Sequence, residues 1–143
     1  MPKPRILIVD DEERFVKTLT KRLTERGLDV FGVYSGRGAI EEVRNNPYDV
    51  VILDVRMPGL DGIETLRELK KIDPGIEVLM LTGHASVDSA VEGMRLGAHE
   101  YLMKPCDIEE LMEKIDAAYE LKQTRDDRIR QAEARRIVDR SPG

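Results

Sequence analysis

The sequence predicts an α/β fold: a five-stranded parallel sheet, doubly wound, with helices on both faces. Two observations carry that reading. Short apolar runs alternate five times with amphipathic stretches of helical period. The strongest of these runs are continuous rather than alternating, as strands covered on both faces require.

The first run is Arg5-Ile6-Leu7-Ile8-Val9. Phe15, Leu19 and Leu23 then recur at helical spacing, and Gly27 ends that helix. Leu28 to Val33 reads as the second strand. Ser35 caps a helix bearing Ala39, Ile40 and Val43, which stops before Pro47. Asp49 to Leu53 is the third strand. Asp61 followed by Glu64 resembles a capping box and opens a helix with Ile63, Leu66 and Leu69, broken by Asp73-Pro74-Gly75. Ile76 to Leu81 is the fourth strand. Val87, Ala90, Val91 and Met94 share one helical face, closed by Gly97. Glu100 to Met103 is a short fifth strand, and Asp107 and Glu110 cap a last helix through Leu111, Ile115, Ala118 and Tyr119. Met80, Met94, Met103 and Met112 read as core filling.

Residues 1–121 form the expected domain. Residues 122–143 hold seven bases and four acids without an apolar face, a polar, helix-prone tail or linker expected to be marginal alone.

The 143 residues suit one domain with a real core. The net charge of −5 argues against direct binding to nucleic acid. No apolar run approaches the roughly 20 residues that span a membrane, and the first residues lack the apolar core of a signal peptide. A single cysteine, Cys106, cannot pair within the chain and reads as a small packing residue. A cytoplasmic protein is expected.

The chemistry lies after the strands. The first ends in Asp10-Asp11, the third in Asp54, the fourth in Thr82-Gly83 and the fifth in Lys104-Pro105. In a parallel sheet these ends share one edge. If the first and third strands are neighbours, three carboxylates converge. They repel unless a cation joins them, and Mg²⁺ suits a shell of carboxylates, water and phosphate. Lys104 adds a mobile positive charge and Thr82 a hydroxyl donor. Such a set can hold a phosphoryl group at Asp54. Each residue has a plainer reading alone: helix cap, turn or solvated base. The ordered set does not.

The stretches Ile6 to Glu12, Asp54 to Gly62, Leu81 to Ala85 and Gly97 to Pro105 resemble the receiver domain of bacterial response regulators, over about residues 4–121. The region from Thr82 to Pro105 is most similar to receivers of the nitrogen-regulation activator class. The resemblance implies strand order 2-1-3-4-5 and phosphoryl transfer to Asp54 from a phosphohistidine on a sensor histidine kinase or phosphotransfer protein. It implies Mg²⁺ bound by Asp10, Asp11, Asp54 and the backbone carbonyl of Arg56. Lys104 would contact the phosphoryl oxygens and precede a cis bond to Pro105. Thr82 and Tyr101 would form a switch pair. Arg56 and His84 would flank the approach of hydrolytic water. His99 reads as a solvated residue at the start of a strand.

Two readings follow. In the first, the chain is a phosphorylation switch, monomer or weak dimer, acting on a downstream protein partner through the face around the fourth helix, fifth strand and fifth helix. In the alternative, it is the N-terminal receiver of a longer transcriptional regulator. A phosphohydrolase of the haloacid dehalogenase class, also built on a strand-end Asp, needs a second Asp two residues later. Arg56 stands there instead. No turnover of external substrates is expected, only the domain's own phosphorylation and dephosphorylation.

Overall fold

The computed structural model describes residues 3–57, 59–83 and 86–140. Five strands alternate with five helices: β1 Arg5–Val9, α1 Glu13–Glu25, β2 Asp29–Val33, α2 Gly36–Asn45, β3 Val50–Leu53, α3 Gly62–Ile72, β4 Glu77–Thr82, α4 Val87–Arg95, β5 Glu100–Met103 and α5 Ile108–Arg140. The sheet is parallel throughout, in the order β2-β1-β3-β4-β5.

The period-two alternation of the strands divides the core in two. Ile6, Ile8, Ile52, Leu79 and Leu81 point to one face, packed by Val16, Leu19 and Leu23 of α1 and Leu111, Ile115 and Ala118 of α5. Leu7, Val9, Val51, Leu53 and Met80 point to the other, packed by Ala39 and Val43 of α2 and Leu66 and Leu69 of α3. β1, β3 and β4 lie inside the sheet, which is why their sequences are apolar at successive positions. β2 is an edge strand and leaves Phe31 exposed.

Local chemistry places the ends. Gly27 takes φ +89° after α1. Ser35 Oγ accepts from Gly38 N at 3.0 Å and Asp61 Oδ1 from Glu64 N at 2.9 Å, each an N-cap worth about 1 kcal/mol. At the start of α3, Gly62 is pressed against the backbone that follows β3. A Cβ there would lie 2.1 Å from the Asp54 carbonyl oxygen, so only glycine fits.

Two expectations, on the methionines and on His99, are corrected, and the apolar face of α4 is seen to be its outer one. On α4, Val87, Val91 and Met94 face outward, with Val87 80% exposed. The helix approaches the sheet through a stripe of smaller residues instead, with Gly93 buried against Met80 and Ile63. Met94 and Met103 are therefore surface residues, not core filling; Met80 is fully buried. His99 is not simply solvated: its Nδ1 lies 3.4 Å from Oε2 of Glu77, a carboxylate only 1% exposed.

α5 continues past Leu121 without a break. At the amino-terminal edge of the sheet, Arg125 pairs with Glu77, and Lys122 Nζ lies 2.9 Å from Asp126 and 3.5 Å from Asp49. Burial pulls the Lys122 ammonium down, but the hydrogen bond and charge of Asp126, with Asp49, outweigh it and hold the group above the ordinary lysine value. From Asp127 to Asp139 the helix is exposed on every side.

Candidate functional site

The carboxyl ends of β1, β3, β4 and β5 bring the predicted residues to one edge. The ladder continues one step past the strands: Asp54 N donates to Val9 O at 2.9 Å, and Lys104 N donates to Thr82 O at 2.9 Å. Asp54 is thereby held beside Asp10, and Lys104 beside Thr82. The Lys104–Pro105 peptide bond is cis.

Asp10, Asp11 and Asp54 each present a carboxylate oxygen, all within 4.8 Å of one another. Asp10 and Asp54 are buried, and Asp11 is open to solvent. Burial raises the Asp10 carboxyl above its ordinary value, against the hydrogen bonds it accepts from Lys104 and from the Glu12 backbone. Its Oδ1 receives Glu12 N at 2.9 Å and its Oδ2 receives Lys104 Nζ at 2.6 Å. Asp54 Oδ1 is buried and accepts no hydrogen bond. An acceptor left open at such a depth is costly unless a ligand satisfies it. Hard oxygen donors from three acids this close together fit a small dication such as Mg²⁺.

Lys104 is the cation of the site. Its Nζ also lies 3.3 Å from Glu12 Oε1 and 4.0 Å from the centroid of the Phe15 ring. Burial opposes its charge, but Asp10, Asp54 and Glu12 together hold it above the usual lysine value. The ammonium is therefore present throughout the neutral range. Thr82 is fully buried at the end of β4. Tyr101 is half-buried on β5, level with Met80, and its hydroxyl lies 2.8 Å from Ser89 Oγ on α4. Arg56 is exposed in the loop after β3. His84 lies outside the described residues.

Sequence reasoning missed three partners here. Glu12 carries no reading of its own, Phe15 reads as part of an apolar helix face, and Ser89 carries no reading either. The first two touch Lys104 from a distant part of the chain, and no local pattern records that. Ser89 was legible in part, since Ser86 and Ser89 form a reciprocal cap on α4.

Residues 6–116 match the family described as the response regulator receiver domain. The chain is 42% identical over 113 residues to the transcriptional regulatory protein ZraR of Escherichia coli, covering 79% of this chain and 26% of that protein. It is 40% identical to the uncharacterized transcriptional regulatory protein YkoG of Bacillus subtilis, covering 82% and 52%. The chain thus spans a quarter to a half of the length of these relatives. Among solved structures, a receiver domain protein from Clostridium thermocellum shares 37% identity with a TM-score of 0.78, covering 85% of this chain and 98% of that one. A CheY-like receiver domain from Methanospirillum hungatei shares 28% with a TM-score of 0.84, covering 87% and 99%.

Proposed function

Because this chain belongs to the response regulator receiver domain family, we propose that its phosphoacceptor is Asp54, supplied by a sensor histidine kinase or a phosphotransfer protein. The single observation that carries the assignment is Asp54 Oδ1, a buried, unpartnered carboxylate oxygen beside two further acids and a lysine. In the reaction, an Asp54 oxygen attacks the phosphorus of a phosphohistidine. The P–N bond breaks, an acyl phosphate forms, and the histidine nitrogen leaves with its bonding pair. Lys104 supplies positive charge to the transferring group, and Thr82 a hydroxyl donor. Asp10, Asp11, Asp54 and the Arg56 carbonyl would hold Mg²⁺, which when bound neutralises the added negative charge.

The domain acts as a switch rather than as an enzyme on external substrates, and it works in the cytoplasm, where the kinase phosphohistidine is made. Phosphorylation biases a two-state arrangement of Thr82 and Tyr101. Its output is read on the α4–β5–α5 face by a protein partner. The support for that face is its chemistry: Val87, Val91, Met94 and Met103 are all exposed there. A second reading has its own support. The curated relatives are transcriptional regulatory proteins of which the match covers 26% and 52%, so the chain also fits as the N-terminal receiver of such a regulator, with the lower half of α5 as its linker. Under either reading the receiver itself does not contact nucleic acid.

The test is phosphorylation by acetyl phosphate with Mg²⁺, followed by intact mass. The wild type gains one phosphoryl group. Asp54→Asn gains none, and undiminished labelling of that variant refutes the assignment.

A further inference from the structure

We propose that Phe15 is a positioning residue for Lys104, its ring holding the ammonium within reach of Asp54 while the ammonium changes partner. This rests on Asp54 being the phosphoacceptor. Among the described residues, Lys104 Nζ meets Asp10 Oδ2 at 2.6 Å, Glu12 Oε1 at 3.3 Å, and the Phe15 ring with its centroid at 4.0 Å. A phosphoryl oxygen on Asp54 would compete with Asp10 for the ammonium. Of the other two contacts, Glu12 is a well-exposed carboxylate, with 64% of its side chain open to solvent. Taken alone it draws a flexible lysine outward.

The ring acts differently. An aromatic face attracts a cation without neutralising it, and the attraction grows where water is excluded. Only 14% of the Lys104 side chain is exposed. Phe15 sits on the first turn of α1 and packs against the α1–α5 core. It also walls an apolar groove with Leu19, Leu81, Cys106, Ile108 and Leu111, and Lys104 runs along the edge of that groove. The ring is thus fixed by the fold, and the ammonium is the movable member. Lysine carries four rotatable side-chain bonds, so confining it raises the fraction of time spent in the reactive geometry.

A packing role and a positioning role separate cleanly between two substitutions. Phe15→Leu keeps an apolar side chain but removes the π face, whereas Phe15→Tyr keeps it. The initial rate of phosphorylation by acetyl phosphate at saturating donor and Mg²⁺ should fall about three- to tenfold in Phe15→Leu and stay within about twofold of wild type in Phe15→Tyr. Half-saturation by donor and by Mg²⁺ should not change in either. In a Lys104→Met background the Phe15→Leu effect should vanish, because it acts through the ammonium. One measurement needs no variant: ring current from Phe15 should shift the Lys104 ε-methylene protons upfield. Wild-type rates in Phe15→Leu, equal losses in the Leu and Tyr variants, the same loss in the Lys104→Met background, or an unshifted Lys104 resonance would each overturn the proposal. Labelling that persists in Asp54→Asn overturns the phosphoacceptor reading instead. The two failures are distinguishable, because label that persists in Asp54→Asn bears only on the phosphoacceptor, whereas the Phe15 variants are compared with Asp54 intact.

Discussion

The side chain of Glu77 is 2% exposed at the start of β4, and the helix that leaves the domain supplies a basic partner, Arg125. Removing that partner with Arg125→Ala tests where the folded domain ends. Breaking a fully buried ion pair costs roughly 3–5 kcal/mol, because one charge is left without compensation. An exposed pair is worth about 0–1 kcal/mol. Arg125 is 43% exposed and His99 remains 3.4 Å from the other Glu77 oxygen, so the cost falls between these limits, at about 2 kcal/mol. For a domain of this size that lowers the melting temperature by about 6–10 °C. Glu77→Gln removes the buried charge and leaves Arg125 free to turn to solvent. It should cost about 1 kcal/mol or less, and in its background Arg125→Ala should be nearly silent. Amide exchange supplies the spatial readout. In the wild type, protection should persist through about residue 125 and be lost by about residue 130, where the helix is exposed on every side. In Arg125→Ala the boundary should retreat by about a turn. A drop of less than 2 °C, or an unmoved boundary, would refute the reasoning.

Asp11→Ala should weaken Mg²⁺ binding at least tenfold in a fluorescence or calorimetric titration, while leaving the metal-free protein no less stable, since it relieves repulsion among three acids. Wild-type affinity would count against the metal assignment. Thr82→Ala should still be phosphorylated but show phosphorylation-induced chemical-shift changes on α4 and β5 reduced by half or more. Equal changes would remove Thr82 from the switch. Arg56→Ala should lose its phosphoryl group two- to tenfold faster, because the large side chain beside Asp54 crowds the in-line water. An unchanged or slower time course would show that Arg56 does not shield the bond.

What the sequence disclosed and what it hid divide along the range of the interaction. β1, β3 and β4 were legible because burial on both faces leaves an uninterrupted apolar run. Asp10, Asp54, Thr82 and Lys104 were legible because a parallel sheet collects strand ends at one edge. The outward turn of α4 was not. Helical period reports that Val87, Val91 and Met94 share a face, but not whether anything covers it. The smaller Ser89, Ala90 and Gly93 face the protein, and they carry little apolar signal. Glu77 looked like a polar residue opening a strand and Arg125 like part of a solvated tail. Their pairing spans 48 residues and leaves no local trace. The same holds for Phe15 and Lys104. The boundary drawn at Leu121 followed the loss of the apolar stripe, whereas α5 stays fastened for another turn by charge.

The glycine at the head of α3 has a mechanical consequence. With no Cβ between them, Gly62 N donates to Val55 O at 2.8 Å, and the helix rests directly on the backbone of Asp54 and Val55. α3 and the end of β3 therefore move as one body. α4, on the same side of the sheet, is seated on one buried glycine and turns its bulk to solvent. The backbone at Asp54 is thus in direct contact with α3 and not with α4. Any displacement of the end of β3 would therefore be expected to carry α3 with it and to be taken up on the side of the helix that displays Val87, Val91 and Met94.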